Sequence, residues 1–106
     1  VTRVMAVGTK ARPPAPKPAP RTGTGDADGL NWPALARCES GGNPRALSPG
    51  GRYRGLYQFS LATWRGVGGS GDPIDNSAEE QLYRAKLLYN RSGAGQWPSC
   101  GRRLFT

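Results

Sequence analysis

Among groups that move protons near neutral pH, this 106-residue chain has seven carboxylates, two cysteines and no histidine. Without histidine there is no Ser-His-Asp or Cys-His nucleophile pair, and the commonest metal ligand is missing. Two cysteines cannot supply a four-thiolate zinc site, so neither a metal nor a cofactor is expected. Acid–base work by a carboxylate remains. Asp26 and Asp28 fall in a polar, Gly-rich stretch. Glu79 and Glu80 follow Ser77, where a helix start favours negative charge. Asp72 and Asp75 flank Pro73 and read as turn or cap residues. Glu39 has no such excuse. It stands in Cys38-Glu39-Ser40-Gly41-Gly42, at the C-terminal end of a helix expected over Trp32 to Ser40, where the helix dipole disfavours it. That position, with partial burial beside aromatics, raises a carboxyl pKa and suits a general acid. An ion pair with one of the many arginines is the competing structural role, and composition leaves the two even.

A second group of residues has the chemistry for sugars. Tyr53, Tyr57, Gln58, Thr63, Trp64, Tyr89, Gln96 and Trp97 put flat apolar faces beside amides and hydroxyls. A pyranose ring stacks on the former and bonds to the latter. Trp and Tyr in a small domain are more often core. Trp64, at helical spacing from Ser60, reads as core, and Trp97 fits either role.

These residues need elements to hold them. Residues 1–10 resemble a strand that ends a preceding domain, and 11–29 read as a linker, Pro-rich from Pro13 to Pro20 and more flexible from Arg21. Globular composition begins at Leu30. Asn31 is a suitable N-cap with Pro33 in the first turn, Trp32, Leu35 and Ala36 give an apolar face, and Gly41-Gly42 stops the helix. Tyr53 to Phe59 fits a short strand or extended turn. Ser60 caps a second helix through Trp64 that fades at Gly66 or Gly68. Ser77 and Glu80 form a capping box for a third, with Ala78, Leu82, Ala85, Leu88 and Tyr89 at helical spacing and Gly93 beyond its end. Residues 102–106 read as a frayed tail. The expected architecture is mainly α: a small compact domain of about three helices, a short extended segment and one disulfide.

Fifteen Lys+Arg against seven Asp+Glu give a formal charge of +8. Ten of the positives and five of the negatives follow Leu30, so the globular part carries +5 and favours anionic partners. Cys38 and Cys100 are best read as a disulfide, which places the chain in an oxidising, extracytoplasmic compartment. No apolar run is long enough to span a bilayer. The basic residues are scattered and form no recognition motif, which argues against nucleic acid.

Asn31-Trp32-Pro33-Ala34-Leu35-Ala36-Arg37-Cys38-Glu39-Ser40-Gly41-Gly42-Asn43 resembles the start of the resuscitation-promoting factor catalytic domain of actinobacteria. Gly55-Leu56-Tyr57-Gln58-Phe59-Ser60, then Thr63-Trp64, and Gln96-Trp97-Pro98-Ser99-Cys100 continue the likeness in order, over residues 30–101. Residues 1–10 also resemble the end of a G5 domain. Two departures stand out: the family's segment before Gln-Phe often has more glycine than Arg54-Gly55-Leu56-Tyr57, and the loop over 43–52 differs in length. The resemblance implies a lysozyme-like fold related to lytic transglycosylases. It implies cleavage of the β-1,4 bond between N-acetylmuramic acid and N-acetylglucosamine in peptidoglycan, with a role in growth from dormancy. Glu39 falls on the catalytic glutamate, Cys38 and Cys100 on the disulfide pair, and Tyr53, Gln58, Thr63, Gln96 and Trp97 on or near substrate-binding cleft positions. Peptidoglycan strands are the expected partner, a cell-wall hydrolase is a further one, and the chain is expected to act as a secreted or wall-associated monomer. The competing reading is a non-catalytic peptidoglycan-binding module.

Overall fold

A computed structural model of the chain describes residues 24–106. The strand-like residues 1–10 and the Pro-rich part of the linker lie outside the described residues. Three α-helices follow one another: α1 (Trp32–Ser40), α2 (Leu61–Gly66) and α3 (Ala78–Ser92). Short 3-10 turns punctuate them at Gly25–Ala27, Pro49–Gly51, Pro73–Asp75, Ala94–Gln96 and Gly101–Phe105. Extended pairing among the described residues amounts to two isolated antiparallel bridges, Leu47 with Arg54 and Arg54 with Phe59. The domain is small and mainly helical, with one disulfide, as the sequence leads one to expect.

The helix ends follow the capping residues. Asn31 Oδ1 accepts the Ala34 N–H at 3.1 Å, and Pro33 sits where its missing N–H costs nothing. Gly41, at φ +66°, turns the chain into the left-handed region and donates its N–H to the Arg37 carbonyl. Ser60 Oγ and Ser77 Oγ each accept from the N–H three residues on, opening α2 and α3. Two arginines of α3 then reach the end of α2: Arg84 donates to the Val67 carbonyl and Arg91 to that of Gly66, both at 2.9 Å.

Trp32 sits in the middle of the core. It meets Tyr57, Tyr89 and Trp97 edge-to-face at centroid distances of 5.8, 6.1 and 5.7 Å. Leu35, Ala36, Trp64, Ala85 and Leu88 are among the other members of the buried cluster. Two buried residues are polar, Thr24 and Gln81. Gln81 of α3 is fully buried, takes the Leu56 N–H on Oε1 at 2.7 Å, and donates Nε2 to the Pro44 and Asn76 carbonyls. A side chain at Gly55, which holds φ +87°, would collide with that Oε1.

Two expectations need correction. Residues 24–29 are not linker: they form a 3-10 turn with Ala27 fully buried, and Lys86 pairs with Asp28 at 3.1 Å. The cause is Trp32, whose buried indole N–H needs an acceptor and finds the Ala27 carbonyl at 2.7 Å. Residues 102–106 do not fray: they belong mostly to the turn Gly101–Phe105, with Leu104 buried and its carbonyl accepting the Asn31 N–H at 2.9 Å. Of the two forms expected for Tyr53 to Phe59, the structure shows the turn, because Gly55 and Gln58 both hold positive φ.

Cys38 and Cys100 are bonded, with Cα atoms 5.8 Å apart and a separation of 62 positions in sequence. Closing a loop of that length stabilises the fold by about 4 kcal/mol in the chain-entropy model. Cys100→Ser is expected to lower the melting temperature by about 10 °C or more, read by circular dichroism; an unchanged melt would remove the bridge from the stability account. Leu104→Ala is expected to cost about 2–4 kcal/mol in urea denaturation, whereas a frayed tail would show no cost.

Candidate active site

Helix α1 carries Glu39 seven residues after Trp32. At 3.6 residues per turn, seven residues bring a side chain back to within about 20° of its starting direction. Glu39 therefore shares the face of α1 that Trp32, Leu35 and Ala36 turn toward the core, at its C-terminal end. It is partly buried there. No hydrogen bond or ion pair reaches its carboxylate from the described residues, so the arginine partner that competed as an explanation is not found among them. Burial pushes the Glu39 carboxyl pKa above its ordinary value.

The other carboxylates behave as caps, pairs or solvated groups. Asp72 accepts the Ile74 N–H at 3.1 Å and pairs with Arg54 at 2.8 Å. Burial raises the Asp72 pKa, but these bonds outweigh it and hold the group below the usual range. Glu80 pairs with Arg84 at 2.7 Å and Asp28 with Lys86. Asp26, Asp75 and Glu79 are exposed. Among the described residues, Glu39 is the one carboxylate both withdrawn from solvent and unpartnered.

A cleft of about 60 Å³ gathers all five residues expected to line one: Tyr53, Gln58, Thr63, Gln96 and Trp97. Tyr57, Phe59, Ser60 and Leu88 complete the lining, which contains no charged side chain. Glu39 is not part of that lining. The link between them is aromatic: Trp32, on the Glu39 face of α1, packs edgewise on Tyr57 and Trp97, and both of these line the cleft.

Each cleft residue is held differently. Tyr53 is 42% exposed at the lip, with the Arg52 guanidinium 5.6 Å from its ring centroid. Gln58 is the one non-glycine described residue at positive φ, +53°. Its Nε2 donates to the Gly55 carbonyl at 2.8 Å and the Ala46 carbonyl at 3.3 Å, which leaves only Oε1 for a ligand. Thr63 Oγ1 accepts from Ser60 Oγ at 3.0 Å, so its hydroxyl hydrogen is available. Gln96 is exposed and its side-chain amide has no protein partner among the described residues. Trp97 is buried, and its indole N–H is spent on the Tyr57 carbonyl at 3.0 Å, so it offers the cleft a ring edge or face but no donor. Tyr57 was legible only as one aromatic among several; its phenol pKa is pushed up to about 12 by burial, so it remains a neutral donor across the working range. Leu88 comes from α3 and carried no signal other than its apolar periodicity.

No helix among the described residues is long and apolar enough to cross a membrane, and no cluster of three Cys, Asp or Glu among them is arranged for a metal ion. An unpartnered carboxyl with a raised pKa has the chemistry of a general acid, and an uncharged cleft of aromatic faces, amides and hydroxyls has that of a sugar site.

The transglycosylase-like domain family matches residues 26–100. Resuscitation-promoting factor RpfE of Mycobacterium tuberculosis is 45% identical over 74 residues, which cover 70% of this chain and 42% of that protein. RpfC of the same species is 39% identical over 101 residues, covering 95% of this chain and 63% of that protein. Resuscitation-promoting factor Rpf of Micrococcus luteus is 42% identical over 73 residues, 69% of this chain and 32% of that protein. The matches thus span less than two thirds of each of these relatives. With its residues 26–100 matched and its disulfide and helices in place, the chain belongs to the transglycosylase-like domain family, in the form found in the catalytic domains of resuscitation-promoting factors.

Proposed function

We propose that this chain is a peptidoglycan-cleaving enzyme that cuts the β-1,4 bond between N-acetylmuramic acid and N-acetylglucosamine, outside the cytoplasm, with Glu39 as its acid. The observation that carries this reading is the state of Glu39: partly buried, raised in pKa, and without a partner among the described residues. Family membership supports peptidoglycan as the substrate class. The relatives' names attach resuscitation to those proteins, and a role in wall remodelling on exit from dormancy is part of the proposal. Domain limits of 30–101 are extended by the packed residues 24–29 and 102–106.

Most glycosidases flank the bond with two carboxylates. Here the substrate supplies the second function. Glu39, protonated, gives its proton to the glycosidic oxygen. The muramic acetamide oxygen stabilises the oxocarbenium-like centre as the bond breaks. Glu39, now a carboxylate, takes a proton from the sugar's own 6-hydroxyl, giving a 1,6-anhydro end, or from a water, giving a reducing end. In this reading the cleft binds neutral sugar through the faces of Tyr53 and Trp97 and through Gln58 Oε1, Thr63 Oγ1 and the Gln96 amide.

Because Glu39 must start protonated, the rate declines as pH rises through its folded-state pKa, and burial moves that limb upward from the ordinary glutamate range. Stability has the same sign. A carboxyl whose pKa is raised by folding contributes below its unfolded pKa, and that contribution is lost as pH rises through the folded one. Glu39→Gln is therefore expected to raise the melting temperature at neutral pH, with the gain shrinking as pH falls into the ordinary glutamate range; a variant that melts lower at pH 7 would contradict an unpartnered, desolvated carboxylate. The same variant, assayed on purified peptidoglycan with mass spectrometry of the products, is expected to lose turnover by at least about a hundredfold while still sedimenting with the polymer. Activity within a fewfold of the parent would remove Glu39 from the reaction, and a parent that binds without releasing fragments would make the domain a binding module.

A further inference from the structure

The face of α1 opposite Glu39 borders a second hollow. It is larger than the cleft, about 350 Å³, and is lined by Asn31, Ala34, Arg37, Cys38, Arg103 and Thr106. Residues 31, 34 and 38 recur at one-turn intervals along the outer side of α1, and the turn Gly101–Phe105 forms the facing wall. Two arginines stand in this wall with no carboxylate side chain among the lining residues.

The described arginines differ in their partners, and Arg52 lies over the Tyr53 ring at 5.6 Å. Arg54, Arg84 and Arg91 are internal braces: each donates to a backbone carbonyl, and the first two also pair with an acid. Arg37 and Arg103 have no hydrogen bond or ion pair to any described residue. Arg45, Arg65 and Arg102 are likewise exposed, but none of them lines either hollow. Neither guanidinium pairs with a described side-chain carboxylate, and two like charges lining one concavity raise a positive potential there.

The hollow is also rigid. Its two walls are cross-linked by Cys38–Cys100 and joined by the Asn31 N–H to the Leu104 carbonyl, with Leu104 seated in the core. At the rim, Asn31 Nδ2 reaches the Thr106 main-chain oxygen at 3.4 Å and its hydroxyl at 3.3 Å, and that hydroxyl donates to the Arg103 carbonyl at 2.8 Å. These rim groups bond one another, so the guanidiniums are what the hollow offers a ligand.

We propose that this hollow, behind the catalytic helix, is a binding site for an oxyanion, phosphate or carboxylate, carried by an anionic polymer of the surface on which the enzyme works. Arg37 and Arg103 hold the anion through charge-assisted hydrogen bonds. The site is separate from the cleft and stands whether or not Glu39 is the acid. Its role is retention: one face of α1 carries the acid, and the other anchors the domain to charge in the surrounding matrix.

The test follows the Arg Nε–H signals by NMR while the intact chain is titrated with inorganic phosphate and, separately, acetate at low ionic strength. Saturable shifts confined to Arg37 and Arg103, with midpoints on the order of millimolar, are expected. Arg37→Gln and Arg103→Gln are each expected to weaken binding by about tenfold, the loss typical of one charged hydrogen bond. Arg65→Gln, which removes the same charge elsewhere, is expected to change it less than about twofold. Tighter binding of phosphate identifies a phosphodiester polymer as the source, and tighter binding of acetate a carboxylated one. Linear shifts spread equally over Arg45, Arg65 and Arg102, or saturation that survives Arg37→Gln with Arg103→Gln, would overturn the site. Both arginines are exposed and brace nothing, so the variants are expected to keep the parent melting temperature and the parent's turnover on soluble glycan fragments.

Discussion

The seating of one tryptophan decides how the rest of this small domain is arranged. Trp32 opens α1, and its ring edges are closed in by Tyr57 from the turn, Tyr89 from α3 and Trp97 from the C-terminal segment. Its N–H must find an acceptor once the ring is buried, and the Ala27 carbonyl supplies it. That bond draws residues 24–29 into the fold. Four stretches far apart in sequence therefore meet on one side chain. The roll of α1 about its axis is fixed by this seat, and with it the direction of Glu39 two turns later. A change at position 32 would act on the acid by rotating the helix that carries it.

The opposite side of α1 is held by covalent and main-chain bonds rather than by rings. Cys38 is tied to Cys100, and the Asn31 N–H bonds Leu104. A nine-residue helix is too short to be stable by itself in water. Here it is clamped from both faces, so the acid is presented on a rigid element without a large core. Gln81 performs the comparable task for the cleft. It binds one N–H and two carbonyls of the irregular segments around Leu56, Pro44 and Asn76, which have almost no strand pairing to hold them.

What could be read from sequence follows the range of the interactions. Helix ends were legible because caps act within three residues: Asn31, Ser60, Ser77 and Gly41 sit where their side chains or φ angles require. The disulfide was legible because only one pairing exists. The cleft set emerged from residue chemistry and family likeness together, and all five chosen residues share one hollow. What was missed is nonlocal. Gln81 occupies a core position of α3 with a polar side chain, so hydrophobic periodicity passes over it. Leu104 and Ala27 lie in segments whose composition reads as tail and linker, and only the tertiary demands of Trp32 and α1 recruit them. The Arg37 and Arg103 hollow joins residues 66 positions apart and has no local signature.

The placement of charge around α1 gives the last step. Ten cations and five anions follow Leu30, so an unpaired carboxylate in this domain is surrounded by potential partners. Yet Arg54, Arg84 and Arg91 are committed elsewhere by carbonyls and acids, and Arg37 of the same helix lines the opposite side. The cleft lining carries no charged side chain at all. An arginine within reach of Glu39 would favour its ionised form and undo the rise in pKa that burial produces. The described cations are thus committed or turned away from one face of one helix, so that no nearby positive charge offsets the rise in the Glu39 pKa that burial produces.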